Sequence, residues 1–599
     1  MKHFMSLALG LGLVLALLWL LSTGEIDIPV VRAADLSLPM QVEPQTESYQ
    51  AFKNTATITR YVAITGTDTA SCATPISACR TIQYAVNAAS SGDVIKVATG
   101  VYTGVQSHAA PAGYVGAATI EQVVYVDKTV TIQGGYTTTQ GFATPPDPAL
   151  YPTTLDAEGD GRVIFISGAL NRTTIEGLRI TRGSAIGQGG IWASEFVHYE
   201  AGGGIYVFGA TATIRDNEIY NNTAGPTNGS GGGMCLHSSN STLVGNTITN
   251  NSANNWLGGG VYLLSSPITL IENDISGNSA RWGGAVFLEL SPATVTHNTF
   301  SDNSITQCGG ALNVHTSDAT ISGNIVSNND ALCAGAIRVV QCAATLDDNT
   351  IFGNSSMGLG GAMHLWDADD TTLNGNAIFD NQAGGDGGAI EFWDSTGVIL
   401  DGNTILANTA GSKGGALHLN STYPSNATLI NNVIADNHAA AGSGLHIENS
   451  TLHLFHNTIA RNGSAGTAGM GDGRGIVVTG RGSVDLSNTV LVNHTVGMYV
   501  SSNSDVTLEA TLWGTGTWAN ETDWSGTIMV GAINLWDDPA FVAPDAGDFH
   551  IGSDSAAIDA GVDAGVGTDL DGEGRPAGAG YDIGADEFYF KTYLPLMIK

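Results

Sequence analysis

Asparagine recurs in this chain in pairs five residues apart, and the pairs themselves recur about every 27 residues. The first member stands at Asn217, Asn246, Asn273, Asn298, Asn324, Asn349, Asn376, Asn403, Asn432, Asn457 and Asn488. The second stands at Asn222, Asn251, Asn278, Asn303, Asn329, Asn354, Asn381, Asn408, Asn437, Asn462 and Asn493. Short alternating β runs separate them and no helical period appears. Such a period suits a coil of three short strands joined by turns, each coil stacking about 4.8 Å above the last. Every turn then falls into a column. A buried turn leaves amide groups without partners, and a column of Asn supplies them by bonding to the neighbours above and below. Asn also tolerates the left-handed backbone of a sharp turn. Both columns are therefore read as structural. The glycine pairs ahead of the next strand, as in Gly283-Gly284-Ala285, have the same reading: a turn with no room for a side chain. A leucine-rich repeat has an overlapping period, but it needs a leucine-dominated consensus with one Asn position.

Composition agrees with a folded solenoid. The 599 residues include 79 glycines and are 43% apolar, enough to bury a core and so to exclude a disordered chain. Only 13% are charged, and the net charge of −34 repels a polyphosphate partner, so nucleic acid is excluded as a ligand.

Gly387-Gly388-Ala389-Ile390, followed by Asn403-Thr404-Ile405 and a further Asn408, resembles the right-handed parallel β-helix of the pectate-lyase-like superfamily. The first of these segments and Phe300-Ser301-Asp302-Asn303 also resemble repeats of polymorphic outer-membrane adhesins. The fold class that follows is all-β, a right-handed parallel β-helix: a single-stranded solenoid of three strands per coil and about 27 residues per coil. The resemblance covers residues 60–530 and implies a short amphipathic helix near 81–89 capping the open end. Downstream, Ala557-Ile558-Asp559-Ala560-Gly561, Asp569-Leu570-Asp571-Gly572-Glu573-Gly574-Arg575-Pro576 and Asp582-Ile583-Gly584-Ala585-Asp586-Glu587 resemble the choice-of-anchor module of secreted bacterial proteins. That resemblance assigns 531–588 to a C-terminal module and implies attachment to the cell envelope.

Lys2 and His3 precede the apolar run 4–21, which reads as a secretory signal peptide over 1–33 followed by a linker, 34–59. A retained N-terminal anchor is the alternative. No other segment is apolar and long enough to span a membrane, so the mature chain is expected outside the cytoplasm or on the cell surface without a transmembrane span. The apolar tail 589–599 is either a sorting tail or a last strand.

Export permits disulfides. Cys72 and Cys79 close a short loop beside the cap and are expected to pair. Cys308 and Cys333 each stand four residues before the first inward residue of their coil, Leu312 and Ile337. Equivalent positions one coil apart lie within the Cα separation that a disulfide accepts. Cys235 and Cys342 occupy different coil positions and are expected to be free.

The strand after each glycine pair alternates, which sets the residues expected to point outward. Two outward columns hold five of the 14 histidines. One contains Arg338, His364, Glu391, His418 and His446; the other contains His315, Trp366, Trp393 and Glu448, with Asp367 and Asp394 at the strand ends. Stacked exposed indoles receive sugar rings, while carboxylates and imidazoles bond hydroxyls. The resemblance implies that this strand lines a substrate cleft. Asp367 and Asp394, one coil apart, have the spacing of a retaining pair, and Glu391 between His364 and His418 has the composition of an acid/base centre. Asp367, Asp369, Asp370 and Asp394 equally suit a calcium ion, as do Asp569, Asp571 and Glu573. A polyuronate lyase needs cations for the substrate carboxylates, and Arg338 is the only base on the face. The chain is thus expected to be a secreted or cell-surface protein that binds a polysaccharide or other surface component along one sheet. A polysaccharide-active hydrolase or lyase using the same face, and a purely structural adhesin-like rod, are the alternatives.

Overall fold

Each short strand pairs in register with the strand one coil later, and three parallel sheets result. In the first sheet Val286–Glu289 pairs with Leu312–His315, in the second Thr294–Thr296 with Thr320–Ser322, and in the third Thr299–Ser301 with Ile325–Ser327. The computed structural model describes residues 57–589 except 70, 144, 195–196, 227 and 464–470. These belong to one unit, Thr57–Lys599. The signal peptide read at 1–33, most of the linker 34–59 and all but the first residue of the tail 589–599 lie outside the described residues. The protein is an all-β parallel solenoid of about 13 turns with little helix.

Apolar side chains stack inside the coil, as do Ile248, Ile275, Phe300, Val326, Ile351 and Ile378 of the third sheet, all 0% exposed. At the turns the Asn ladders take over. Asn381 donates through Nδ2 to the carbonyls of Ile351 and Phe379 and to Asn408 Oδ1, each at 3.0 Å. Its own Oδ1 accepts from Asn354 N at 3.0 Å and Asn354 Nδ2 at 2.9 Å. The ladder thus satisfies the turn above and the turn below with one amide.

The last pair departs from the expectation. Register places Thr458 opposite Val490, so Asn457 faces Thr489, and Asn488 turns outward to His456 Nε2 at 2.8 Å and the Val562 carbonyl at 2.7 Å. Likewise it is His494, not Asn493, that continues the second ladder. Asn462 Nδ2 lies 3.4 Å from its Nε2, and its backbone N–H bonds Asn520 Oδ1 at 2.9 Å. The coil beginning after Asn462 carries one residue more than the Asn spacing suggests. Burial pulls the His494 pKa down to about 4 from its usual 6.5, against the opposing Asn520 bond. A folded pKa below the unfolded one gives stability that is full above pH 6.5 and is lost as pH falls through about 4. His494→Asn, which restores the amide, is expected to raise the denaturation midpoint, with the gain over wild type larger at pH 4.5 than at pH 7.5. Equal gains at the two pH values would show that His494 contributes nothing to the acid response.

The N-terminal end is closed by the helix Ile82–Ala88, whose N-cap Thr81 accepts from Tyr84 N. Gln83 on this helix pairs with both backbone groups of Tyr125, accepting its N–H at 2.6 Å and donating to its carbonyl at 3.2 Å. A side-chain amide thereby does what a further coil would do for a sheet edge. Cys72 is bonded to Cys79 nearby, with Cα atoms 5.2 Å apart, and Cys308 to Cys333 with Cα atoms 4.5 Å apart. Cys235 and Cys342 carry free thiols.

Two features were not visible in the repeat. Eight successive coils carry a short extra strand after the second Asn, from Ser252–Leu257 through Gln382–Ala383 and Thr409–Lys413 to His438–Ala441, forming a fourth parallel sheet. The C-terminal segment also folds back onto the helix. Phe549, Ile551, Ala557, Ile583 and Ala585 bury the outer side of the third sheet at Val433, Ala460, Val490, Val492 and Leu512.

Candidate functional site

The fourth sheet decides what the outward columns can do. Past seven of its eight strands the chain turns back through a glycine in the left-handed region, with Ala334 (φ 53°) taking that place after Asp330–Ala331, and the glycines lie against the start of the first-sheet strand. A Cβ on Gly414 (φ +64) would stand 2.3 Å from the Leu417 carbonyl and 2.8 Å from His418 Cβ. On Gly442 it would stand 3.1 Å from His446 Cβ. The turns therefore form a wall over the column. Arg338, His364, Glu391, His418 and His446 point out of the coil but are buried beneath it, Glu391 at 0% exposure. This corrects the reading of that column as a solvent-facing surface. Upstream the same column is apolar, with Phe165, Tyr206, Tyr262 and Phe287 forming a second core outside the coil.

Inside the covered column the groups are tied to one another. His418 Nδ1 lies 2.8 Å from Glu391 Oε2 and 3.8 Å from Asp386 Oδ2. Burial raises the Glu391 pKa, with the His418 imidazole opposing it. Burial draws the His418 pKa down, but the carboxylates around it outweigh burial and raise it. Burial, with the His418 and Lys413 cations, lowers His446 to about 4, and burial with Arg338 lowers His364 to about 3. His364 Nδ1 is 3.8 Å from Cys333 Sγ, so the disulfide belongs to the wall. The buried Arg338 guanidinium lies between two indoles, 5.1 Å from the Trp282 ring centroid and 5.2 Å from that of Trp366.

The second outward column clears the wall. Trp366 pairs in register with Trp393 and is 41% exposed; Trp393, His315 and Glu448 are half-buried. Lys413, from the fourth sheet, donates to Glu448. Neither Lys413 nor Asp386 is among the residues picked from sequence, because both lie on the segment where the coils differ most.

The acids at the strand ends serve the turns. Asp394 Oδ1 accepts from Thr422 N at 2.7 Å and Ser421 Oγ at 3.0 Å, and Asp369 Oδ1 from Thr396 N at 2.7 Å. Asp367 and Asp370 have φ of 51° and 56°, in the left-handed turn conformation. In the C-terminal segment Asp569 Oδ1 accepts from Asp571 N at 3.0 Å and Glu573 N at 2.8 Å, while Asp571 turns to His550 Nε2 at 2.9 Å. Among the described residues, three metal-ligand atoms come together at His418, His446 and Glu448 and at His550, Asp571 and Asp586. Neither set of acids proposed for calcium from the sequence gathers three ligand atoms in this way; Asp369 and Asp394 instead bond to groups of the next coil, and Asp569 to N–H groups of its own turn.

Residues 203–378 and 316–490 match the family model described as right handed beta helix region. The chain contains a right-handed β-helix region. Among solved structures, this β-helix is similar to a tailspike protein of E. coli bacteriophage HK620 in complex with a pentasaccharide. The two are 11% identical over 73% of this chain and 71% of that one, with a TM-score of 0.35. It is also similar to pectate lyase Pel9A, 13% identical over 88% of this chain and 96% of that one, with a TM-score of 0.22. No curated protein matches the chain in sequence. Among the described residues, no helix of the β-helix protein is long and apolar enough to cross a membrane.

Proposed function

We propose that this β-helix protein is a secreted or cell-surface binder of polysaccharide, taking a glycan along the rim where the first sheet emerges from the wall. The observation that carries the reading is the register pair Trp366 and Trp393, with Trp366 41% exposed. Arg338 packs against Trp366 from the protein side. An indole backed by a cation and open to water presents a flat apolar surface for a sugar ring, and neighbouring carboxylates and imidazoles bond its hydroxyls. The half-buried His315 and Glu448 lie farther along the same rim. Binding is favoured over catalysis because Glu391 is fully buried beneath the wall and Asp394 is held by Ser421 and Thr422. The C-terminal segment fits envelope attachment through whatever surface it leaves free of the helix, and neutral glycans suit the net charge of −34.

A glycan array tests the reading. Wild-type protein should bind a defined set of glycans, and Trp366→Ala and Trp393→Ala should each weaken the hits by about tenfold, which is ~1.4 kcal/mol. An empty array, or hits that survive both substitutions, would remove the rim from consideration.

A further inference from the structure

We propose that His418, His446 and Glu448 form a binding site for a divalent transition-metal ion of the zinc class. His418 and His446 are register partners on adjacent strands of the first sheet, and Glu448 lies two residues beyond His446 on the same outward side. One ligand atom from each residue lies within 4.8 Å of those of the other two. His418 Nε2 itself is 3.9 Å from Glu448 Oε2.

The hydrogen bonds leave one nitrogen of each histidine free. His418 uses Nδ1 toward Glu391, and its Nε2 is buried without a hydrogen bond in a residue 1% exposed, Glu448 Oε2 standing 3.9 Å away. His446 uses Nε2 toward Thr479 Oγ1 at 3.1 Å, and its Nδ1 is buried without a partner in a residue 4% exposed. Two buried imidazole nitrogens without partners carry a desolvation cost of about 1–3 kcal/mol each, and a shared metal ion removes both. A carboxylate on the far nitrogen of a histidine fixes the tautomer and leaves the near lone pair for a metal, which is the arrangement of Glu391 on His418. Binding displaces the His418 Nε2 proton to solvent, and the two neutral imidazoles and one carboxylate that result suit zinc and its neighbours, whereas calcium takes oxygen ligands alone. Three protein ligands leave a fourth position for water or another donor. Glu448, with its side chain 29% exposed, stands on the solvent side and marks the way in.

Lys413 holds Glu448 in the metal-free protein. Its ammonium competes with an incoming cation for the same carboxylate. The second cluster, His550, Asp571 and Asp586, differs in that both His550 nitrogens are occupied, Nδ1 by Asp548 at 2.6 Å and Nε2 by Asp571 at 2.9 Å. It carries no such opening and serves as the control. The metal proposal stands apart from the glycan reading, because the titration contains no sugar.

Zn2+ titrated calorimetrically into the tag-free full chain tests it, with Co2+ absorption as a second readout of a nitrogen-containing site. One equivalent of Zn2+ should bind wild type. His418→Ala and His446→Ala should each weaken it at least 100-fold, Glu448→Gln at least tenfold, and Glu391→Gln by about 10–100-fold through the lost support of His418. Lys413→Met should tighten binding, and His550→Ala should leave it unchanged. Glu448→Gln keeps a hydrogen-bond partner for Lys413 at a half-buried position, so it reports on the site even where a buried histidine variant fails to fold. No binding to wild type with Zn2+ in excess overturns the proposal. So does affinity that survives Glu448→Gln and either histidine substitution, or that is lost in His550→Ala.

Discussion

Asn381→Leu is expected to destabilise the β-helix by about 3–5 kcal/mol, a loss in the range reserved for broken buried networks. Leucine has the branched shape of asparagine, is larger, and makes none of its bonds. The substitution strands Asn354 N, which donates to Asn381 Oδ1, and takes one bond each from Asn354 Nδ2 and from the Ile351 and Phe379 carbonyls. All lie in a turn where Asn381 is 1% exposed, so water cannot take over. Because each coil contacts chiefly its neighbours, damage in the middle of the stack splits the cooperative unit. Unfolding followed by circular dichroism in denaturant should therefore show a lowered midpoint and a broadened transition. A surface change on the same turn, Gln382→Ala, should leave both unaltered. A midpoint for Asn381→Leu within error of wild type would mean that the ladder is dispensable.

The second large effect is expected at Arg575→Met. Arg575 Nη1 and Glu587 Oε2 are 2.8 Å apart with both side chains 0% exposed, and Arg575 also donates to the carbonyls of Gly584 at 2.9 Å and Ala585 at 2.7 Å. Removing the cation leaves the buried Glu587 carboxyl without its ion-pair partner, held only by the N–H groups of Ala577 and Asp582, at a cost of about 3–5 kcal/mol. The same loop grips the helix, through Gly584 N on the Asn488 carbonyl at 2.9 Å and Ala585 N on Thr458 Oγ1 at 3.1 Å. The C-terminal segment should consequently detach while the coils persist. Hydrogen exchange should rise across Asp548–Ile551 and over the outer side of the third sheet at Val490 and Val492, with the first sheet still protected. Unchanged protection in the C-terminal segment would show that the apolar contact alone holds it.

Much of the architecture was legible because a solenoid repeats its constraints. Asn381, Asn408 and their equivalents announce a turn that stacks, and the position of Cys308 and Cys333 relative to Leu312 and Ile337 announces neighbours one coil apart. Counting failed at Asn488 and Asn493, where one added residue shifts the ladder onto His494. A serine column between the first and second sheets, with Ser239 N on Ser266 Oγ at 3.0 Å and Ser266 N on Ser291 Oγ at 2.9 Å, also passed unnoticed. Serine is too common in such turns for its recurrence to stand out.

The candidate site was legible only in part. Alternation on the strand correctly separates inward Ile390 from outward Glu391, since a β-strand reverses its side chains at every residue. Whether outward means exposed is another matter. It depends on the segment between Asn381 and Gly388, whose course over the sheet follows from long-range pairing with Thr409–Lys413 and from glycines that admit the wall at close range.

Local periodicity was enough for the solenoid, its ladders and the direction of each strand side chain, because stacking imposes the same environment on equivalent positions. Burial of the Glu391 and His418 pair, exposure of Trp366 and convergence of His418 with His446 and Glu448 arise only when distant segments meet. Solvent access is a property of what packs above a residue, and in this fold the covering layer comes from the least regular part of each coil.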